Sequence, residues 1–247
     1  MRYFIEFSYN GTNYHGFQKQ KNVRTIQEEL TKCISLQLDK SIDVYAAGRT
    51  DAGVHAIQMF AHFDVIQEID IDNFCFKLNS FLPNDILVKS IFRVNYNSHA
   101  RFDAVQRKYQ YIISNKREIF NKNVYYLPAL LNIVEMNKAA GFLIGDQDFT
   151  SFSKVHTQTF TNNCKIIFAN WEEENGKYIF TISANRFLRN MVRSIVGTLI
   201  DIGTGKMSAD MMKEIIKKKD RSEAGVSVPA HALFLTEIQY PEVIRKY

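Results

Sequence analysis

Cysteine is scarce in this chain, and its few residues form no recognisable framework. Cys33, Cys75 and Cys164 are odd in number, far apart in the sequence and without Cys-x-x-Cys spacing. This pattern excludes a disulfide scaffold and a zinc knuckle. It predicts buried free thiols in a protein of a reducing compartment, the cytoplasm.

Long hydrophobic runs are also absent. No uninterrupted apolar stretch approaches the ~18 residues that cross a membrane. The N-terminal residues 1–7 lack the apolar core followed by small residues that marks a signal peptide. Both absences predict a cytoplasmic protein with no membrane partner.

Signatures of several enzyme classes are missing as well. The Gly-Thr-Gly-Lys string at residues 203–206 is too short for a P-loop and follows a predicted helix. No dinucleotide fingerprint, Gly-x-Ser-x-Gly elbow or Cys–His nucleophile context occurs. His55 and His62 are seven residues apart, on opposite faces of any shared strand, and make a poor metal site with Asp51. By elimination, chemistry here would depend on a carboxylate, with no metal and no organic cofactor.

The composition is that of an ordinary soluble globular protein. The chain has 247 residues, 46% of them hydrophobic and 23% charged, enough for one large domain or two small ones. Basic residues exceed acidic ones by 31 to 26, a net charge of +5 that allows a polyanionic partner without proving one. Aromatic residues make up 13% and supply stacking surfaces as well as core volume.

Hydrophobic periodicity predicts the same order of elements twice. In the first half it indicates strands at residues 2–9, 42–47, 59–65 and 86–94, with helices at 26–38 and 74–82. Thr25 and Glu28 have the spacing of a capping box for the first helix. In the second half it indicates strands at 108–114, 165–171, 178–184 and 233–239, with helices at 133–144, 186–202 and 208–219. Asn175-Gly176 is a strong hairpin signal between the second and third of these strands.

This order predicts an α/β (α+β) fold of two ferredoxin-like β-α-β-β-α-β halves, residues 1–100 and 101–247. We expect the halves to form a pseudo-symmetric, mainly antiparallel sheet with helices on one side and a central active-site cleft. Polar loops at residues 14–24 and 147–163 are long enough to reach a ligand.

The most informative string is Ala-Ala-Gly-Arg-Thr-Asp-Ala-Gly-Val-His-Ala at residues 46–56. Glycines on both sides of Asp51 allow a sharp turn and the close approach of a ligand. A carboxylate is an anion at neutral pH and a potential nucleophile. Arg49 places a guanidinium two residues before it. On the local string alone, a polar turn between two strands is an equally good interpretation.

Basic and aromatic residues recur in the second half. Arg186, Arg189 and Arg193 have spacings of three and four, and so share one face of the predicted helix at 186–202. That face either is solvated or meets phosphates or a carboxylate. Tyr109 and Tyr111 share one face of a predicted strand that also carries Lys108. This pattern suits either nucleic-acid stacking or a core strand.

Ordered motifs along almost the whole chain resemble the tRNA pseudouridine synthase A family. They include Gly-Arg-Thr-Asp-Ala-Gly at 48–53, Arg-Lys-Tyr-Gln-Tyr at 107–111 and Phe-Leu-Arg-Asn-Met-Val-Arg at 187–193. Further matches lie at residues 10–20, 25–28, 82–86, 99–102 and 220–225. The sequence departs from the family pattern at four places, with Phe17 for a tryptophan, Gln147 for a histidine, Lys165 near an expected arginine, and Ala232 for a glycine.

The resemblance implies a function and roles for matching residues. The expected activity is the isomerisation of uridine to pseudouridine at positions 38, 39 and 40 of the tRNA anticodon stem-loop, by a cofactor-free cytoplasmic homodimer. Asp51 resembles the catalytic aspartate, Tyr109 the residue that stacks on the target uracil, and Arg193 the arginine that pairs with the aspartate. Arg49 would support the site or meet a phosphate, and we expect Arg186 and Arg189 to bind substrate.

Two alternative functions stay open at this point. One is a non-catalytic RNA-binding module, since ferredoxin-like sheets with exposed aromatics also bind single strands. The other is a carboxylate-dependent nucleoside hydrolase or base glycosylase. The latter would release free uracil, whereas isomerisation retains the base and the mass of the RNA.

Overall fold

The structure, a computed structural model, describes residues 1–154 and 160–245. These residues form ten strands, which are β1 (Arg2–Tyr9), β2 (Tyr45–Ala46), β3 (His55–Asp64), β4 (Ile86–Val94), β5 (Gln106–Ser114), β6 (Tyr125–Tyr126), β7 (Gly145–Asp148), β8 (Asn163–Glu174), β9 (Lys177–Ala184) and β10 (Leu233–Gln239). The five α-helices are α1 (Ile26–Leu38), α2 (Ile71–Phe81), α3 (Ile133–Gly141), α4 (Met191–Gly203) and α5 (Met211–Lys218). The strands pair mainly antiparallel, which confirms the predicted fold class.

The chain divides into two compact units. Unit 1 contains residues 1–105 and the C-terminal residues from 235 onwards, and unit 2 contains residues 106–234. The predicted halves, 1–100 and 101–247, differ from these units because the chain end returns to unit 1. None of the described helices has the length and apolarity needed to cross a membrane.

Unit 1 is built on β1, whose neighbours are β3 and β4, both antiparallel to it. β2 pairs with β3 on one side, and β10, most of which belongs to this unit, lies beside β3 in the strand order. α1 buries Ile26, Leu30 and Ile34 in the core, as the predicted helical spacing requires. Phe4, Phe7 and other apolar residues of β1 are fully buried as well.

Unit 2 has the strand order β5, β9, β8 and β7, with each neighbouring pair antiparallel. β8 and β9 are joined through Asn175 and Gly176, both at positive φ, which confirms the predicted hairpin turn. The side-chain amide of Asn137 on α3 both donates to and accepts from the backbone of Trp171 on β8, at 2.9 and 2.7 Å. This contact fixes α3 on the sheet.

Two local predictions in unit 1 were wrong. The capping box does not form, because Thr25 makes no side-chain bond to the helix backbone and its hydroxyl is buried without a hydrogen-bond partner. The strand predicted at 42–47 is reduced to β2. The side chains of α1 explain this, since Ser35 accepts from the Ile42 amide at 3.0 Å and Gln27 donates to the Val44 carbonyl at 2.9 Å.

Other elements differ from prediction in extent. β6 and β7 were not predicted, and the polar loop expected at 147–163 begins inside β7. Phe149 and Phe152 of that stretch are fully buried, while residues 155–159 lie outside the described part of the chain. All three cysteines are free thiols, and Cys33 and Cys164 are buried as predicted. Burial raises the pKa of Cys164 to about 11.

Candidate active site

Asp51 lies in unit 1, on the turn that leads from β2 into β3. Its backbone carbonyl accepts a hydrogen bond from the Val54 amide at 3.2 Å, and Gly53 has a φ of 78° that favours glycine. Asp51 is partly exposed, whereas Thr50 is buried and shares a 2.8 Å hydrogen bond with the Tyr9 hydroxyl. Asp51, a partly exposed residue, therefore stands on a turn (residues 48–54, the Asp51 turn) that is anchored at its base.

A second segment, residues 11–17, packs along the Asp51 turn, and we call it the bracing segment. The Phe17 amide donates to the Thr50 carbonyl at 3.2 Å, and the Gly53 amide donates to the Tyr14 carbonyl at 3.3 Å. Gly16 has a φ of 90°, and a Cβ there would lie 2.7 Å from the Thr50 carbonyl oxygen. The two backbones are therefore in direct contact.

The bracing segment corrects the prediction of a polar loop at 14–24. Tyr14 and Phe17 are 3% and 2% exposed, so this part of the loop belongs to the core and cannot reach a ligand with its aromatic side chains. Phe17 packs against the rings of Phe7 and Tyr9, at centroid distances of 6.3 and 6.4 Å. Phe17 stands where the family pattern has a tryptophan, so this departure from the pattern changes the packing of the core. Residues 18–22 and Arg24 are exposed.

Tyr109 lies in unit 2, on β5, opposite Ile182 of β9. Tyr109 is partly exposed, and its ring meets the ring of Phe187 edge to face, with centroids 5.2 Å apart and planes at 88°. Tyr111, on the same face, is fully buried, and its hydroxyl donates to the Pro229 carbonyl at 2.9 Å. Of the two tyrosines, Tyr109 is therefore the one that is partly exposed.

Arg193 is the one arginine of α4, a helix that is otherwise almost entirely buried. Its Nε donates to the Val228 carbonyl at 2.7 Å, and its own carbonyl accepts from the Val228 amide at 3.2 Å. The loop of residues 224–229 therefore fixes the Arg193 side chain, a contact that the family match at residues 220–225 did not predict. Within this loop Ser227 accepts from Asn190 at 2.5 Å and from Arg221 at 3.0 Å.

The prediction that Arg186, Arg189 and Arg193 share a helical face is wrong. α4 begins only at Met191, because Asn190 adopts a left-handed conformation with a φ of 66°. Arg186 and Arg189 precede the helix, the former partly exposed and the latter exposed. Their roles as substrate-binding residues stay a prediction that no longer depends on helical spacing.

The candidate residues are distributed over both units. Asp51 and the exposed Arg49 belong to unit 1, and Tyr109, Arg186, Arg189 and Arg193 belong to unit 2. The predicted pairing of Asp51 with Arg193 stays a prediction.

Neither conspicuous histidine is arranged as a metal ligand. His55 accepts a hydrogen bond at Nδ1 from the Gly11 amide at 3.1 Å, and His62 accepts one at Nδ1 from the Ala100 amide at 3.2 Å. Over residues 1–154 and 160–245, no group of three or more histidine, cysteine, aspartate or glutamate side chains could hold a metal ion. Both imidazoles are instead bonded into the structure of unit 1.

His62 makes folding stability depend on pH. Burial, assisted by Arg2 and His99, lowers the pKa of His62 to about 4, against partial opposition from Asp64 and Asp103. Between about pH 6.5 and about pH 4, the His62 side chain is therefore protonated in the unfolded chain and neutral in the folded protein. We expect the free energy of unfolding to decrease as the pH falls through this window, and the decrease to be smaller in His62→Asn, where the amide oxygen can still accept from Ala100.

Urea unfolding between about pH 7 and about pH 4.5 measures this effect. His15→Asn is the matched control, because His15 is exposed. An identical pH dependence in wild type and His62→Asn would contradict the assignment.

Comparison with known proteins places the chain in a family. The family model described as tRNA pseudouridine synthase matches residues 6–103 and 139–241. Five of the six candidate residues lie within these ranges, and Tyr109 lies between them. The chain belongs to this family. Proteins named tRNA pseudouridine synthase A are similar over nearly the whole length. The one from Azobacteroides pseudotrichonymphae is 50% identical over 246 residues, which cover 99% of both chains.

Two further relatives of that name show the same full-length similarity. The protein of Parabacteroides distasonis is 48% identical over 98% of this chain and 96% of its own length. That of Vibrio campbellii is 36% identical over 98% of this chain and 93% of its own. Among solved structures, a chain of a Cbf5–Nop10–Gar1 complex aligns with a TM-score of 0.37 and 10% identity, over 94% of this chain and 57% of that one.

Family membership decides between the functions that the sequence left open. The prediction of an RNA pseudouridine synthase, and of the family that the motifs resemble, is confirmed. Neither a purely RNA-binding module nor a base glycosylase agrees with this membership.

Proposed function

We propose that this synthase isomerises uridine to pseudouridine at positions 38, 39 and 40 of the tRNA anticodon stem-loop, with Asp51 as its catalytic carboxylate. The observation that carries the proposal is the Asp51 turn, where a partly exposed aspartate stands on a backbone braced from two sides. Enzymes place a reacting group on such a rigid support because a displacement of ~1 Å can cost ~10²-fold in rate.

The chemistry requires one bond to break and one to form. The N1–C1′ bond of the nucleoside is cleaved, the uracil turns within the site, and C5 joins C1′. The proton lost from C5 is balanced by the proton gained at N1, so neither an oxidant nor a cofactor is consumed. A carboxylate serves this reaction either by adding to the electron-poor C1′ or by promoting a glycal route.

The other candidate residues complete the proposal. Tyr109 would stack on the flipped uracil, a contact worth ~1–3 kcal/mol per base. Arg193 would pair with the Asp51 carboxylate, since a guanidinium keeps its charge and binds carboxylates. Arg49, Arg186 and Arg189 would contact phosphates of the substrate. A homodimer in the cytoplasm is part of the same proposal, and light scattering of the purified protein measures its mass.

The decisive experiment is incubation of the purified protein with unmodified tRNA, followed by chemical derivatisation of pseudouridine and sequencing of the modified positions. The proposal expects derivatised nucleotides at 38, 39 and 40 and no release of uracil. Free uracil with an abasic RNA would favour a glycosylase, and tRNA binding without derivatised product would favour an RNA-binding module.

Arg189→Gln tests the contact with phosphate. If the guanidinium of Arg189 neutralises one phosphate, we expect weaker tRNA binding and a plot of log affinity against log salt that is less steep by about one. Fluorescence anisotropy at several salt concentrations measures both quantities. Arg117→Gln, at another exposed arginine of unit 2, is the control. A slope equal to that of the wild type would leave Arg189 as a solvated surface residue.

A further inference from the structure

The bracing segment holds the Asp51 turn at two points that flank the carboxylate. Thr50, one residue before Asp51, accepts from the Phe17 amide, and Gly53, two residues after it, donates to the Tyr14 carbonyl. Any movement of the bracing segment is therefore transmitted to the backbone on both sides of Asp51. What fixes the bracing segment consequently also fixes the carboxylate.

Tyr14 anchors the bracing segment to β4 through Asp85. The Tyr14 hydroxyl donates to Oδ1 of Asp85, and the side-chain amide of Asn13 donates to Oδ2 at 3.4 Å. Asp85 directly precedes β4, and its backbone carbonyl accepts from the Asn10 amide at 2.9 Å. The carboxylate that receives Tyr14 therefore stands at the end of a regular, paired strand.

The ring of Tyr14 is held on its face as well. The guanidinium of Arg24 lies over it, 4.9 Å from the ring centroid, and Arg24 Nε is 2.5 Å from Oε1 of Glu29 on α1. Burial and the bond to Asp85 raise the pKa of Tyr14, so its hydroxyl keeps the proton it donates. Tyr14 is 3% exposed, so its side chain is enclosed by protein groups and not by solvent.

We propose that the hydrogen bond from Tyr14 to Asp85 is a positioning contact for catalysis, which holds the bracing segment and through it the backbone of Asp51. The inference rests on the proposed role of Asp51. Tyr14 acts through the backbone and does not touch the substrate. Its loss should therefore lower kcat and leave the KM for tRNA nearly unchanged, because binding groups elsewhere are not disturbed.

The test compares Tyr14→Phe with Tyr240→Phe. Both variants lose one hydroxyl that donates within unit 1, and the Tyr240 hydroxyl donates to the Ala100 carbonyl at 2.5 Å, away from the bracing segment. We expect kcat to fall about 10- to 100-fold in Tyr14→Phe, with KM unchanged, and to stay at the wild-type value in Tyr240→Phe. Thermal unfolding of both variants records any loss of stability that they share.

Variants of Asp85 extend the test. Asp85→Ala should be at least as slow as Tyr14→Phe, because it also removes the contact with Asn13. The double variant should be no slower than Asp85→Ala, because the Tyr14–Asp85 contact is already lost in that variant. Asp85→Asn should recover most of kcat, since its side-chain carbonyl still accepts from the Tyr14 hydroxyl. Additive losses in the double variant, or no recovery in Asp85→Asn, would overturn the proposal.

Hydrogen exchange supplies a measurement that does not depend on activity. The amides of Gly53 and Phe17 bridge the two segments, so both should exchange faster in Tyr14→Phe and at the wild-type rate in Tyr240→Phe. Unchanged exchange together with full kcat in Tyr14→Phe would overturn the positioning role alone. Full activity of Asp51→Asn would instead overturn the proposed function on which that role rests.

Discussion

Replacement of Asp51 by asparagine should reduce pseudouridine formation by about four orders of magnitude, a loss typical of a removed catalytic carboxylate. The amide has nearly the same volume but carries no charge and cannot add to C1′ or stabilise positive charge there. The turn around it should persist, because the bonds from the Val54 and Phe17 amides and from the Gly53 amide join backbone atoms, and the Thr50 hydroxyl keeps its bond to Tyr9. We therefore expect the Kd for tRNA to remain close to that of the wild type.

Single-turnover assays with saturating enzyme measure the chemical step, and filter binding measures the affinity. Asp43→Asn is the matched control, because it removes an exposed carboxylate from the same unit. An equal loss of binding and turnover in Asp51→Asn would indicate a role in tRNA recognition. Turnover equal to that of Asp43→Asn would show that Asp51 is no catalytic group.

Gly197→Ala should destabilise the protein by about 3 kcal/mol, at the upper end for an overpacked site. A Cβ at residue 197 would lie 1.9 Å from the carbonyl oxygen of Val226, a backbone atom that cannot rotate away as a side chain can. α4 would have to separate from the loop of residues 224–229. That loop accepts from Arg193 through Val228, so we expect a lower kcat as well as a lower free energy of unfolding.

Gly141→Ala provides the comparison within unit 2. Gly141 ends α3, and a Cβ there would meet no atom within 4 Å. Its replacement should leave the free energy of unfolding within about 1 kcal/mol of the wild type. Chemical denaturation of both variants measures the difference. Equal stabilities for the two alanine variants would mean that the contact between α4 and the loop relaxes without cost.

Short-range patterns predicted the parts of the fold that short-range forces decide. Asn175-Gly176 predicted its hairpin because both residues tolerate positive φ, and the apolar spacing of α1 predicted its buried face. The glycines around Asp51 indicated a turn for the same reason. These elements need no partner far away in the sequence to adopt their conformation.

Contacts between distant segments account for the failures. The spacing of the arginines predicted that Arg186 lies in a helix. Asn190, however, bonds to Ser227, 37 residues away, and adopts a left-handed conformation, so that α4 starts only after it. No local sequence pattern predicted the contacts of the bracing segment, because its hydrogen bonds to Thr50 and Gly53 join backbone atoms that are distant in the sequence. Motifs marked Tyr14 and Asp85 as family positions, but only the structure brings the two side chains together.

The return of the chain end to unit 1 bears on how the protein is made. Gln239 accepts from the Val105 amide at 2.9 Å, and the Ile238 amide donates to Gln58 of β3 at 2.9 Å. On the ribosome, every residue of unit 2 is synthesised before these partners emerge. Until these partners are synthesised, the edge of β3 that faces β10 is unpaired, the kind of surface that promotes aggregation. The unit that carries Asp51 can therefore close only after the residues of unit 2 have been synthesised.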